Sequence, residues 1–217
     1  MKKTLILVSL LIVFASSAFS HIPFFLTPED FVEGYLVKEI DLSQIYYYIF
    51  SSAEKIRFVF EGTCLLQNIS TVGQQFHMLF GVPKEADNMK STADFRPNLT
   101  FYGPDREVLE DFFLESAEPE IMYEFFGDTY SYLYVRHDSE LTKEGIYSVE
   151  IEAEGSGRAW ITFGKKERFT VAQIAAVPRW IREMRAFHYQ TGLAKWEKYG
   201  LGIVGIIGTT LIILVFF

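Results

Sequence analysis

Apolar and polar positions alternate in "KIRFVFEG" (55–62). Ile56, Phe58 and Phe60 share one side of a two-residue period, and Arg57 and Glu61 share the other. That period is the signature of a strand buried on one face. "YSYLYVRH" (130–137) and "GIYSVEIEAEG" (145–155) repeat it. In the second of these, Tyr147, Val149, Ile151 and Ala153 oppose Ile146, Ser148, Glu150 and Glu152. "SQIYYYIF" (43–50), "QQFHMLFGVP" (74–83), "NLTFYGPD" (98–105) and "GRAWITFG" (157–164) add four aromatic-rich runs bounded by Gly, Pro, Asp or Ser. "GSG" (155–157) is expected to turn the last two strands into a hairpin. Short strands spaced by turns, without a strand–helix–strand rhythm, predict an all-β antiparallel sandwich of the jelly-roll sort. The polar stretch 84–97 reads as a loop. "DREVLEDFFLESAEPE" (105–120) places Val108, Leu109, Phe112 and Phe113 at helical spacing and predicts a short helix or an insertion.

After Gly164 the period lengthens, and residues 169–200 read as helix. Thr170 is the expected N-cap and Pro178 the expected kink or break. Trp180, Ile181, Met184, Phe187 and Leu193 are apolar, while Arg179, Arg182 and Arg185 recur every third residue. The preferred reading is a helix lying at a membrane surface, with Arg179, Trp180, Arg182, Arg185 and Trp196 at headgroup depth. The alternative packs this helix on the sandwich.

The two ends extend the membrane theme. Lys2 and Lys3, the apolar run Thr4–Phe14 and the small residues of "ASSAFS" form a signal peptide over 1–20, with cuts expected after Ala18 or Ser20. Tyr199–Phe217 carries no charge and, at about 1.5 Å per residue, would span about 28 Å as a single transmembrane helix. A tail exchanged for a lipid anchor is the alternative. The implied order is signal peptide (1–20), extracytoplasmic sandwich (21–164), basic juxtamembrane segment (165–198) and transmembrane helix (199–217), giving a single-pass protein of the cell membrane that enters the secretory pathway.

Charge sharpens that picture. The chain carries 20 basic and 28 acidic residues, a net −8. Residues 164–198 hold 8 basic against 3 acidic, so the remainder is strongly acidic. An acidic body argues against nucleic acid as a partner. Cys64 is the single cysteine, so no disulfide can form within the chain.

"SQIYYYIFSSAEKIRFVFEG", "NLTFYGPD" and "EGIYSVEIEAEGSGRAWITFG" together resemble the bacterial pre-peptidase C-terminal (PPC-like) domain. Ser43, Tyr46, Tyr48, Phe50, Leu99, Tyr102, Gly103, Pro104, Gly145, Tyr147, Val149, Gly157, Ile161 and Phe163 fit its pattern, while Ala159 stands where a second hairpin tyrosine would be. The resemblance covers about residues 41–163 and implies a non-catalytic sandwich that serves secretion or binds polymers. "MYEFFGDTYSYLY" (122–134) and "AWITFGKKERFT" (159–170) are also similar to uncharacterised membrane-anchored microbial ectodomains, with Phe125 in place of a proline.

Candidate chemistry is sparse. If cleavage leaves His21 first, its amine and ring could join His77 or His137 in a copper site, which makes a copper protein or oxidase the second functional reading. Calcium is a further candidate at the acidic stretch of Glu107, Glu110 and Asp111, or at Asp128. No G-x-S-x-G or other nucleophile motif occurs. Asn68 and Asn98 head N-X-S/T sequons, glycosylation acceptors in a pathway that uses them. Tyr46, Tyr47, Tyr48, Tyr123, Tyr130, Tyr132 and Tyr134 exceed what one core face holds, and the outward ones are expected either to pack under loops or to contact sugars or a partner protein. The sequence therefore predicts a membrane-anchored binding or assembly module without catalysis or cofactor. Its partners would be membrane lipids together with a surface polymer or protein. A third reading is an accessory subunit of a membrane complex.

Overall fold

The computed structural model describes residues 22–32, 35–42, 46–50, 55–62, 64–67, 70–84, 95–125, 127–152, 157–164, 170–195 and 197–198. The signal segment with His21, the Asn68 sequon, most of the polar loop, Trp196 and the segment 199–217 lie outside these. Among the described residues no helix is long and apolar enough to cross a membrane.

Two sheets face each other. The larger is ordered β1 (Ile22–Phe25), β3 (Tyr46–Phe50), β12 (Ala159–Phe163), β6 (Ser70–Pro83), β10 (Thr129–Leu141) and β9 (Glu120–Glu124), with β5 (Cys64–Gln67) paired to the start of β6. The smaller is ordered β2 (Tyr35–Glu39), β4 (Lys55–Gly62), β11 (Gly145–Glu152), β7 (Asn98–Tyr102) and β8 (Val108–Phe112). Each strand expected from alternation is present. Their inward residues meet in one core: Phe58 packs tilted against Phe163 at 5.1 Å, while Phe60 stacks on Phe76 at 5.0 Å and Phe76 on Phe101 at 4.7 Å between ring centroids.

The structure departs from expectation in four places. The sheets are mixed, not purely antiparallel, because β1 runs parallel to β3 and β2 parallel to β4. The chain crosses from the large to the small sheet between β1 and β2, and repeats that crossing between β3 and β4. The second pass therefore lies alongside the first in the same direction. Secondly, β11 and β12 form no hairpin. Strand β11 pairs with β4 and β7, whereas β12 pairs with β3 and β6 in the other sheet. Every residue of β12 is buried, the mark of a strand covered on both faces.

Thirdly, the expected helix at 105–120 is strand β8 followed by a single 3-10 turn, Leu114–Ser116. The turn before β8 is closed by Gly103 N–H donating to the Glu107 carbonyl and by Arg106 N–H donating to the Gly103 carbonyl, with Arg106 at φ +60°. Pairing with β7 satisfies a backbone whose helical apolar spacing has nothing to pack on; Val108, Leu109 and Phe113 are exposed. Fourthly, α1 (Val171–Phe187) runs through Pro178 without breaking. Its start is the expected one. Thr170 Oγ1 accepts from Gln173 N–H while the Gln173 side chain accepts from Thr170 N–H, a reciprocal cap.

Helix α1 turns Val177, Ile181, Met184 and Phe187 inward, at i, i+4, i+7 and i+10. Met184 and Phe187 close over Ile49, Leu79, Leu133 and Trp160 on the outer face of the large sheet. The apolar face that an interfacial helix would bury in lipid is thus occupied by protein. Gly81 makes room for this layer, since a Cβ there would overlap Trp160 Cζ2 and sit 2.8 Å from the Tyr132 carbonyl oxygen. Gly81→Ala is expected to cost about 1–3 kcal/mol by overpacking, read as a lower denaturant midpoint at unchanged slope.

Candidate functional site

Strand β10 presents three different environments along its length. At its start, alternation turns Thr129, Ser131 and Leu133 toward α1 and turns Tyr130, Tyr132 and Tyr134 the other way. A bulge between Leu133 and Val135 resets the register, and beyond it Val135, His137, Ser139 and Leu141 face the core side.

The His137 ring lies among aromatic rings, with centroids 5.8 Å from Phe76, 5.7 Å from Phe101 and 5.4 Å from Phe112. Its Nδ1 lies 3.0 Å from Glu110 Oε2 and its Nε2 lies 2.9 Å from Ser139 Oγ. These residues border an open pocket of about 230 Å³ between the sheets, with Phe101, Leu141 and Tyr147 at its base and Glu107 and Lys143 at its rim. Lys143 Nζ donates to Glu107 at 2.7 Å and to Asp105 at 3.4 Å. That contact raises the Lys143 pKa and lowers that of Glu107.

The metal expectation fares differently at each ligand. His77 stands next to core-facing Phe76 and Met78, so its ring is on the outer face, where Nδ1 meets Asp138 Oδ1 at 3.0 Å. His137 is on the inner face, and both its nitrogens are engaged. The two rings lie on opposite faces of one sheet and cannot share an ion. His21 lies outside the described residues. Among the described residues no group of three or more His, Cys, Asp or Glu is placed to hold a metal. Glu107 and Glu110 are held by Lys143 and His137, so neither is free in a shared oxygen cage.

Asp128, the other calcium candidate, is an anchor for the segment that follows α1. Its Oδ1 accepts from Tyr123 Oη at 3.0 Å, its Oδ2 accepts from Lys195 N–H at 3.0 Å, and Lys195 Nζ is 3.4 Å away. Burial alone would raise the Asp128 pKa; the Lys195 and Tyr123 contacts outweigh it and hold the carboxyl below its usual range. Arg185 completes this joint. It is buried, donates to the carbonyls of Gly127, Thr191 and Gly192, and lies 3.8 Å from Asp128 Oδ2. Arg185 therefore faces protein, in contrast to the headgroup contact expected of it. Arg179 and Arg182 are exposed and Trp180 is half-buried. Asn98 is exposed at the start of β7.

The tyrosines divide by position. Tyr48 is buried, and Tyr132 and Tyr134 pack on the core beneath Lys84 and Arg96 respectively. The side chains of Tyr46 and Tyr47 lie outside those described, and among the described residues Tyr123 and Tyr130 are the exposed pair, 43% and 40% exposed, with ring centroids 4.9 Å apart. Alternation along β9 places Ile121 beside them, and Phe125 follows in the turn, 54% and 57% exposed. This group lies on β9, the last strand of the large sheet among the described residues.

Sequence reasoning did not connect Ser139, His137 and Glu110. The H-x-S spacing on a strand puts the first two on one face, but the arrival of Glu110 from the opposite sheet has no local signal. No family model matches the chain, and no curated protein matches it.

Proposed function

We propose that this is a membrane-anchored extracytoplasmic recognition module, a PPC-like sandwich that holds a surface polymer or partner protein. The observation that carries the reading is the paired, outward Tyr123 and Tyr130 with Ile121 and Phe125 beside them. Large rigid rings at the edge of a sheet offer contact area at low entropic cost, and two neighbouring rings suit the apolar faces of sugar residues. Asp128 fixes Tyr123 through its hydroxyl, so the platform is held in place before a ligand arrives. The leader at 1–20 and the apolar segment 199–217 support display outside the cytoplasm. The exposed Arg179 and Arg182 on the outer side of α1 support contact with anionic lipid.

The full chain in detergent, titrated calorimetrically against soluble neutral glucan and chitin oligosaccharides, is expected to bind at least one series. Tyr130→Ala should weaken it at least about fivefold, the loss of one aromatic anchor at about 1 kcal/mol or more. If no oligosaccharide binds, the polymer reading fails. If binding occurs and survives the Tyr123→Ala/Tyr130→Ala double change, the platform is not the site. Truncation after Lys198 tests the anchor separately: the shortened chain should fractionate as a soluble folded protein.

A further inference from the structure

The pocket between the sheets holds a hydrogen-bonded chain that the recognition platform does not use. Glu110, His137 and Ser139 line up as carboxylate, imidazole and hydroxyl at 3.0 Å and 2.9 Å. The carboxylate at Nδ1 requires that nitrogen to carry the proton, which leaves the Nε2 lone pair to accept the Ser139 hydroxyl. The aromatic collar of Phe76, Phe101 and Phe112 fixes the ring's orientation. This is the arrangement by which a hydroxyl, a base and an orienting acid act together, recognised by geometry and not by position in the chain.

We propose that Ser139, His137 and Glu110 form a nucleophilic triad that hydrolyses short-chain carboxylic esters. Ser139 Oγ attacks the ester carbonyl carbon and its proton passes to His137 Nε2. The tetrahedral adduct collapses, the bond to the alkoxy oxygen breaks, and the alcohol leaves with that proton. A water molecule then gives a proton to His137 Nε2 and attacks the acyl-serine. The short acid is released and the proton returns to Ser139 Oγ. Lys143 lines the same pocket, with its ammonium held by Glu107 and Asp105 at the rim. A volume of about 230 Å³ admits an acyl group of a few carbons, and the carboxylates of Glu107 and Glu110 disfavour anionic substrates. The substrate class is therefore a neutral ester of a short acid, such as an acylated alcohol or sugar. The site is distinct from the Tyr123–Tyr130 platform and stands or falls independently of it.

The test uses the full chain in detergent with p-nitrophenyl acetate and a fluorophosphonate probe. The expected results are ester turnover and a probe adduct on the peptide carrying Ser139. Ser139→Ala should abolish both, and Glu110→Gln, at a half-exposed position, should slow both at least about tenfold while leaving the unfolding midpoint unchanged. Absence of an adduct at Ser139, or labelling undiminished in Glu110→Gln, overturns the proposal. Loss of turnover without loss of the Ser139 adduct on the wild-type protein, once a contaminating esterase is removed, overturns the hydrolytic step.

Discussion

Unfolded by urea at pH 7 and again at pH 4.5, a Glu124→Gln protein is expected to lose about 2–3 kcal/mol of stability between the two, and a His188→Gln protein to lose none of it. His188 caps the end of α1 and is buried beneath it. Its Nδ1–H donates to the Met184 carbonyl at 2.9 Å, and its Nε2 accepts from Ser131 Oγ at 3.0 Å, which itself accepts from Trp160 Nε1–H at 3.0 Å. Every proton in that chain is assigned only if the ring is neutral. Burial accordingly pushes the His188 pKa down from 6.5 to about 4. An unfolded chain takes up a proton as pH falls through 6.5, whereas the folded chain resists until about 4. Stability is therefore full above 6.5, is lost across that window, and levels off below it.

Glu124 works in the opposite sense. Burial at the end of β9 raises its carboxyl from 4.5 to about 7, so the folded chain binds the extra proton first and stability rises as pH falls from 7 toward 4.5. In the wild-type protein these two contributions oppose each other, and the net dependence is shallow. Glu124 keeps partial contact with solvent while His188 has almost none, so the histidine has the larger effect. A Glu124→Gln profile as flat as the wild type would show that His188 does not titrate as its surroundings require.

Trp160→Ala is expected to cost about 3–5 kcal/mol, the largest effect of any single substitution considered. The indole, on the second residue of β12, is fully buried and is the floor on which Met184 and Phe187 rest. Its removal leaves a cavity under α1 and takes away the Nε1–H donor of Ser131 Oγ. The helix should detach before the sandwich melts. Trypsin would then cut at Arg179 and Arg182 at concentrations that leave the wild type intact. Trp160→Phe separates the two causes, because it keeps most of the packing and loses only the hydrogen bond, at about 1–2 kcal/mol. Equal losses for the two substitutions would mean that the hydrogen bond, not the packing, holds the helix down.

The outer face of the small sheet shows how far local pattern reaches. Alternation alone puts Arg57 and Glu150 outside and Phe58 and Val149 inside, and the structure agrees. What alternation does not reveal is that Glu150 is buried beneath Arg57 and Arg106. Burial would raise its pKa; hydrogen bonds from Arg106 and Arg57 outweigh it and hold the carboxyl below its usual range. That arrangement depends on strand order, because Arg106 comes from the turn between β7 and β8.

The sequence by itself determined the strands of the core, the capped start of α1 at Thr170, and the change of period after Gly164. Each of these follows from backbone geometry that repeats over a few residues, so a short window contains the whole signal. Tertiary structure decided the rest. Residues 108–112 became a strand because β7 offered hydrogen bonds and no surface awaited a helix. Strand β12 left its expected hairpin partner because its two apolar faces needed cover on both sides. Arg185 turned inward because Asp128 and three carbonyls converge where α1 meets the sheet. Ser139, His137 and Glu110 came together across 29 residues of chain and two sheets. Such convergence depends on register and on which sheet each strand joins, and both are settled by burial of the whole chain and not by any segment of it.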